Sequence, residues 1–291
     1  RVLFRSYQLV TITNELLEAT KDDAGAFVDE AKLNMDTGFR NISNDLALDL
    51  FQDGSGYRGQ IASITSGVIV LSSAQDVVNF EVGMSLVSYS LSGSTYTQST
   101  SAAIGYVIAV NRSAGTVTVS TSAGGSAGTP TNWSTSFPLI GVQGDVAFGA
   151  ISATTSYLKV SGLGAWIPST APAAGDAYWG VDRSKDVTRL AGVRFDGSSE
   201  SIEEALIDGA ALVAREGGMP DYCFMNFTSY AALEKSLGAK VQYVDVKHEE
   251  ADIAFAGIRV NAPYGPITVI PDRSCPPSVA FLLQKIGRAH V

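Results

Sequence analysis

Cysteine and histidine are both scarce in this chain, and their scarcity argues against several classes of functional site. The only cysteines among 291 residues are Cys223 and Cys275, too few for a disulfide framework or a cysteine-based metal centre. Both lie near apolar or aromatic residues, so we expect buried free thiols in a reducing compartment. His248 stands in an acidic loop without a nearby serine or cysteine nucleophile, and the second histidine, His290, belongs to a doubtful C-terminal segment.

No other residue pattern in the sequence predicts a catalytic or ligand-binding site. The chain has neither a phosphate-binding loop of the Walker type nor a dinucleotide fingerprint behind a strand. Glu203-Glu204 and Glu249-Glu250 are adjacent pairs whose side chains cannot face one way on a helix, so they predict solvated charge. We therefore expect no catalytic residue, no cofactor-binding residue and no metal ligand, and the chain is not expected to be an enzyme.

Basic residues are also few, and they form no cluster. The formal net charge is −9, which makes the chain a poor direct binder of nucleic acid. No run of about 18 apolar residues occurs, so we expect no membrane-spanning segment. With 45% hydrophobic residues, the chain can still build a sizeable core in one large domain or two smaller ones.

The two ends of the chain look foreign to the rest. Residues 1–6 and 286–291 can be encoded by strings that are reverse complements over most of their length, and these strings resemble a sequencing-adapter oligonucleotide. We expect both ends to be artefacts and exclude them from fold reasoning. Without Arg1, Arg5 and Arg288 the formal net charge becomes −12. The natural protein is expected to continue in both directions.

Proline is absent from residues 21–52, and this stretch is predicted to form one helix of roughly 48 Å. Thr20, with Asp23 three residues later, suits the start of the helix, and the glycines of residues 53–56 suit its end. Its apolar residues recur at intervals of three and four positions, which matches the 3.6-residue period of a straight helix and not the 3.5-residue period of a coiled coil. We expect the apolar stripe, including Met35 and Phe39, to be buried under other parts of the same chain. Its members are Ala24, Phe27, Val28, Ala31, Met35, Phe39, Ile42, Leu46 and Leu50.

Residues 59–140 change character and predict an inserted β-rich subdomain, either a small barrel or a sandwich. Short runs in which apolar and polar residues alternate, separated by turns rich in Gly, Asn and Ser, are typical of antiparallel strands. The predicted strands are 61–64, 68–71, one within 77–89, 105–110 and 116–120. A Ser/Gly/Ala/Thr run over 121–131 has little to bury and predicts a flexible loop. Residues 141–196 predict short strands and loops that connect this subdomain to the rest.

Residues 197–285 alternate helix and strand signals, which together with the long helix indicates an α+β chain. A second helix is predicted over 198–216, with Ser199 as its cap and Gly217-Gly218 as its end. A third helix is predicted over 228–237. The predicted strands are 7–13 near the start of the chain, then 222–225, 241–246, 258–260, 267–270 and 279–283.

Several of these pieces together resemble the major capsid proteins of tailed bacteriophages with the HK97 fold. Residues 51–56 look like the glycine-rich exit of that family's spine helix. Residues 201–226 look like its axial-domain helix and the strand after it. The helix at 228–234 and the strands of 257–277 are also similar to the family, so the resemblance covers most of residues 13–284. The β-rich insertion departs from the minimal fold.

The resemblance implies an HK97-like capsid fold with four parts. These are a peripheral part at 7–58 with the end of the E-loop and the spine helix, the β-rich insertion at 59–140, a connecting part at 141–196, and a mixed-sheet axial domain at 197–285. The implied function is a structural major capsid protein that assembles into pentamers and hexamers of an icosahedral head around double-stranded DNA. The implied partners are other copies, a portal, a scaffold and a decoration protein, with DNA enclosed without sequence-specific binding. The implied location is the virion, assembled in the cytoplasm of a bacterial host.

Other functions stay open on the sequence. An encapsulin-type shell protein of a bacterial compartment shares the fold, although the β-rich insertion argues against it. A phage tail or decoration protein would not need the buried helix predicted at 198–216. We also expect the 291 residues by themselves to give monomers or irregular aggregates, because shell contacts would depend on arms that the foreign ends replace.

Overall fold

The computed structural model describes residues 24–92, 95–98, 103–150, 157–175, 177–237 and 258–285, and over this span the chain is an α+β protein. It begins with a single long helix, α1 (Ala24–Phe51). The helix ends where the glycines predict, and Gly54 and Gly56 both have positive φ. The predicted cap at Thr20, the strand at 7–13, the extended stretch at 241–246 and His248 lie outside the described residues.

An antiparallel sheet follows α1 and closes on itself as a barrel. Six strands pair in the ring order β1–β2–β6–β5–β3–β7 and back to β1. Strands β4 and β8 extend the sheet from the far half of β3. The strands are β1 (Tyr57–Thr65), β2 (Val68–Leu71), β3 (Ser85–Ser92), β4 (Thr95–Gln98), β5 (Gly105–Asn111), β6 (Thr116–Ser120), β7 (Leu139–Val142) and β8 (Gly149–Ala150).

The barrel interior is filled by side chains, so it is a packed core and not a container. Trp133 packs inside it, and its indole N–H donates to the Ala103 carbonyl at 3.1 Å. Gly105 is required beneath that ring, because a Cβ there would lie 2.7 Å from the indole. The buried cluster is made of Ile61, Ile69, Leu71, Val77, Phe80, Leu86, Val107, Val117, Val119, Trp133 and Ile140.

The structure confirms both predicted hairpins and corrects two details between them. The strand predicted within 77–89 begins only at Ser85, because a 3-10 helix (Ala74–Asn79) precedes it and sends Val77 into the barrel. The loop at 121–131 is not a bare connection. The Gly67 N–H donates to the Thr129 hydroxyl at 2.9 Å, and the Gly128 N–H donates to the Val119 carbonyl. The sheet as a whole runs from Tyr57 to Ala150, past both ends of the predicted 59–140 subdomain.

A connecting segment then returns along the end of α1. Gly162 lies directly against the Asp49 and Leu50 carbonyls of α1, where a side chain would collide with the helix backbone. Near the end of the segment, the Asp182 and Asp186 side chains each cap the N-terminus of a short helical turn. Its elements are α2 (Leu163–Trp166), the hairpin β9 (Ala177–Tyr178) and β10 (Val181–Asp182), a 3-10 turn (Arg183–Lys185) and α3 (Val187–Ala191).

The C-terminal part is a mixed four-stranded sheet in the order β12–β13–β11–β14. Strand β11 runs parallel to β13 and antiparallel to β14. Ser201, not the predicted Ser199, caps α4 through a reciprocal capping box with Glu204. Gly197 and Glu200 form a turn just before the cap, so the helix begins later than predicted. The elements are α4 (Ile202–Arg215), β11 (Tyr222–Met225), α5 (Phe227–Leu237), β12 (Ile258–Ala262), β13 (Gly265–Pro271) and β14 (Ala280–Leu283).

The two faces of this sheet are covered by different parts of the chain. Successive residues of a strand point to opposite faces, and Cys223 and Met225 pack among the side chains of α4 and α5. Phe224 points the other way, towards Phe51 at the end of α1 and Phe281 of β14. The last turn of α1 is therefore anchored to the C-terminal sheet. Within the described residues, no helix combines the length and the apolar character that crossing a lipid bilayer requires.

Candidate functional site: the C-terminal half of the long helix

Charged side chains attach the C-terminal half of α1 to the barrel. Arg58 of β1 is buried, and its Nη2 donates to Oδ1 of Asp45 on α1 at 2.8 Å. The same Nη2 lies 3.8 Å from Asp145 Oδ2. Asn79 holds the Arg58 backbone, since its Nδ2 donates to the Arg58 carbonyl at 3.1 Å. One buried guanidinium thus links the helix, the first strand and the loop after β7.

A second cation extends this network along the helix. Lys159 Nζ lies 3.2 Å from Asp49 Oδ2 and 3.3 Å from Asp145 Oδ2. With Arg58 and Asp45, the cluster holds three carboxylates and two cations. Burial raises the pKa of Asp49 above its usual value, and the Lys159 ammonium offsets only part of that rise. Removing one partner from such a group is costly, because a partly buried charge then stays uncompensated.

These polar contacts decide which way the apolar stripe of α1 faces. Asp45 and Asp49 are four residues apart and lie on the same side of the helix. Leu46 and Leu50 each follow by one residue, so their side chains point about 100° further round, away from the barrel. Both leucines are exposed, as is Leu33.

The prediction that the stripe is buried within the same chain is therefore wrong for Met35, Phe39, Leu46 and Leu50, whereas Ile42 is half-buried. Met35 is 56% exposed and Phe39 is 71% exposed. The physical reason is that the helix is bound by its charged side and by Phe51 at its end. The spacing of apolar residues shows that one face of the helix is hydrophobic. It does not show that the same chain packs against that face.

Two clefts flank the attached half of α1. The larger has a volume of about 600 Å³ and is walled by α1, the barrel and Arg273 of the loop between β13 and β14. Polar side chains dominate it, and Arg58, Lys159 and Asp145 of the charge network lie along it. The smaller has a volume of about 220 Å³ and lies between α1, the 3-10 helix and Pro276-Pro277.

The smaller cleft contains a carboxyl group with altered acidity. Asp76 is 8% exposed, and burial raises its pKa from 3.8 to about 6, while a hydrogen bond from Tyr57 lowers it in part. Burial also raises the pKa of the Tyr57 hydroxyl, and the neighbouring Asp76 charge adds to that rise. A buried acidic group next to a phenol is thus part of the wall that joins the barrel to α1.

The cysteines and the predicted glutamate pairs do not form a reactive site in the described residues. Cys223 and Cys275 are free and buried, as predicted, and burial raises the pKa of both thiols to about 12, which leaves them unreactive. Glu204 belongs to the cap of α4. Over the part of the chain that the structure describes, no group of His, Cys, Asp and Glu side chains could hold a metal ion. Glu249 and Glu250 lie outside that part.

Sequence reasoning missed the charge network completely. Asp45, Asp49, Arg58, Asp145 and Lys159 are spread over more than a hundred residues, and no local motif marks them. The one available signal was two aspartates four residues apart on the predicted helix. Comparisons of the chain with protein-family models, with curated proteins and with solved structures gave no match.

Proposed function

We propose that this chain is the major capsid protein of a tailed bacteriophage, with an HK97-like fold that tiles an icosahedral head. The observation that carries the proposal is the uncovered apolar stripe on α1. Soluble monomers rarely expose contiguous apolar patches larger than a few hundred Å², and larger ones mark sites of association. A helix attached by its charged side that keeps Met35, Phe39 and Leu46 in water suits a subunit completed by its neighbours.

The order of the elements supports the same proposal. A long helix leads into a separate β-barrel, and the chain then returns to a mixed sheet flanked by two helices. In this proposal they serve as the spine helix, the inserted subdomain and the axial domain that the sequence resemblance implies. The last turn of α1 joins the helix to the C-terminal sheet through Phe51, Phe224 and Phe281. A rigid link of this kind suits a plate-like subunit that must keep its shape in a shell.

The chemistry fits a structural role and not a catalytic one. The proposed partners are other copies in pentamers and hexamers, together with a portal, a scaffold and a decoration protein. A net charge of −9 suits a wall that encloses double-stranded DNA without holding it tightly, because like charges repel. The protein would act in the virion after assembly in the cytoplasm of its bacterial host.

Electron microscopy of the natural protein that contains residues 7–285, called the parent protein below, tests the proposal. We expect capsomers or uniform closed particles from the parent. Phe39→Glu should abolish them, because it places a charge on the stripe. Thr37→Glu is the matched control, since residue 37 is exposed and lies about 200° round the helix from Phe39. A parent protein that stays monomeric under all conditions would contradict the capsid proposal, and normal assembly of the Phe39 variant would show that the stripe is not the contact.

A further inference from the structure

The barrel and α1 do not share a hydrophobic core. Among the described residues, the two buried clusters of the barrel draw their members from residues 61–157, and neither includes a residue of α1. Phe51 of α1 packs instead with Phe224 and Phe281 of the C-terminal sheet. The barrel meets α1 through the charge network and along the larger cleft, where polar side chains dominate. Helix α1 is therefore fixed to the C-terminal sheet by apolar packing and to the barrel mainly by charges.

The chain crosses between the barrel and the rest of the structure in two short segments that lie side by side. The first, residues 52–56, joins the end of α1 to β1. The second, residues 158–162, leads from Tyr157, which packs in a barrel cluster, back to α2. A Cβ on Gly54 would lie 3.1 Å from the Lys159 carbonyl oxygen, so the two segments are in contact. Two adjacent crossings define a single axis, as in hinges where a few loop residues absorb the change in φ and ψ.

The charge network spans these two crossings. Arg58 lies just beyond the first crossing and reaches Asp45, while Lys159 lies within the second and reaches Asp49. Taking charges out of water is expensive, and the attraction between them often repays that cost only in part. Burial raises the pKa of Asp49 although the Lys159 ammonium is close by, so hydration would relieve part of the cost of keeping this carboxylate charged. The network can therefore hold the barrel against α1 without making a separated arrangement very unfavourable.

We propose that the barrel turns as a unit about these two crossings, between a closed arrangement with the charge network intact and an open one in which the larger cleft widens. Relative motion of two parts of a chain is the default expectation unless the contact between them is large and hydrophobic. In the open arrangement the Asp45 and Asp49 carboxylates are hydrated, while Phe51 keeps α1 on the C-terminal sheet. The network is thus a latch on a hinge, and this inference does not depend on the capsid proposal.

Distances between two spin labels, measured by pulsed electron paramagnetic resonance on the 291-residue chain, test the hinge. The hinge pair carries labels at Ser43→Cys on α1 and Val82→Cys on the barrel, two exposed positions outside the charge network. The control pair carries labels at Ser43→Cys and at Tyr264→Cys, an exposed position in the turn between β12 and β13. The native thiols of Cys223 and Cys275 are buried and should stay unlabelled. We expect the hinge pair to show a main closed distance and an open population below about one tenth.

Arg58→Met should raise the open population at least about fivefold, because it removes the ion pair with Asp45 and leaves an unbranched apolar side chain. Arg189→Met, which removes an exposed arginine from its pair with Asp186, should leave the hinge distance unchanged. The control pair should keep one narrow distance in both variants. A folded Arg58 variant with the wild-type hinge distance would overturn the inference. If that variant unfolds, the control distance broadens too, and salt decides instead: raising it from about 0.05 M to about 1 M weakens ion pairs, and a wild-type hinge distance that ignores this change would overturn the inference.

Discussion

Two phenylalanines on one helix allow a sharp test of the orientation of α1. Phe39 is 71% exposed, whereas Phe51 is buried between Phe224 and Phe281 at centroid distances of 6.2 and 6.0 Å. Truncation of a buried phenylalanine to alanine costs about 3–5 kcal/mol. Changes at exposed positions stay within about 0.5 kcal/mol. We therefore expect Phe51→Ala to lower the free energy of unfolding by about 3 kcal/mol or more, and Phe39→Ala to leave it nearly unchanged.

The assay is urea unfolding of the 291-residue chain, followed by far-ultraviolet circular dichroism at low protein concentration. Low concentration matters because association would add stability that depends on mass action. The two variants remove the same atoms from the same helix, so helix propensity largely cancels between them. A loss of about 3 kcal/mol in the Phe39 variant would refute the outward stripe and restore the expectation of burial within one chain. A small loss in the Phe51 variant would refute the anchoring of α1 to the C-terminal sheet.

Three further predictions concern acidity, strain and thiol burial. Because burial raises the pKa of Asp76 to about 6, the folded state binds its proton more tightly than the unfolded state does, and this group should raise stability as the pH falls from 7 towards 4. Asp76→Asn should remove that pH dependence and raise the free energy of unfolding at pH 7 by about 2 kcal/mol. The measurement is the urea midpoint of the wild-type chain and of the variant at pH 5 and pH 7. An unchanged pH dependence in the variant would contradict the raised pKa of Asp76. Trp179, at the tip of the β9–β10 hairpin, has a φ of 52°. Trp179→Asn should therefore stabilise the chain by about 1 kcal/mol in thermal unfolding, since asparagine tolerates positive φ better than tryptophan does, and a loss of stability would contradict backbone strain at this turn. Cys223 and Cys275 should react with a thiol reagent only after denaturation, because burial raises both pKa values to about 12, and rapid labelling of the native chain would contradict their burial.

The sequence predicted those parts of the fold that depend on neighbours along the chain. The hairpins around Ser66-Gly67 and residues 111–115 follow from local turn chemistry, and the structure confirms both. The end of α1, strand β11 and helix α5 were also predicted to within a residue or so. The α+β class follows from the same local patterns. Each of these features is decided within about ten residues, where spacing and capping dominate.

Only the tertiary structure decided between a barrel and a sandwich. Closure depends on the pairing of Ser85 and Leu86 with Tyr106 and Gly105, and on β7 entering between β1 and β3. The residues that pair in these contacts are up to about eighty positions apart in sequence. Alternation of apolar residues shows that a strand has an inner face, but it does not identify the strand's neighbours.

The candidate site depended on the tertiary structure for the same reason. The sequence by itself determined that α1 is a long helix with one apolar face. Its direction was decided by Arg58 and Lys159, which arrive from β1 and from the connecting segment to pair with Asp45 and Asp49. These charges become partners only after the barrel and the connecting segment fold back on the helix. The helix is therefore held by its polar side, and Met35, Phe39, Leu46 and Leu50 on its apolar side stay exposed.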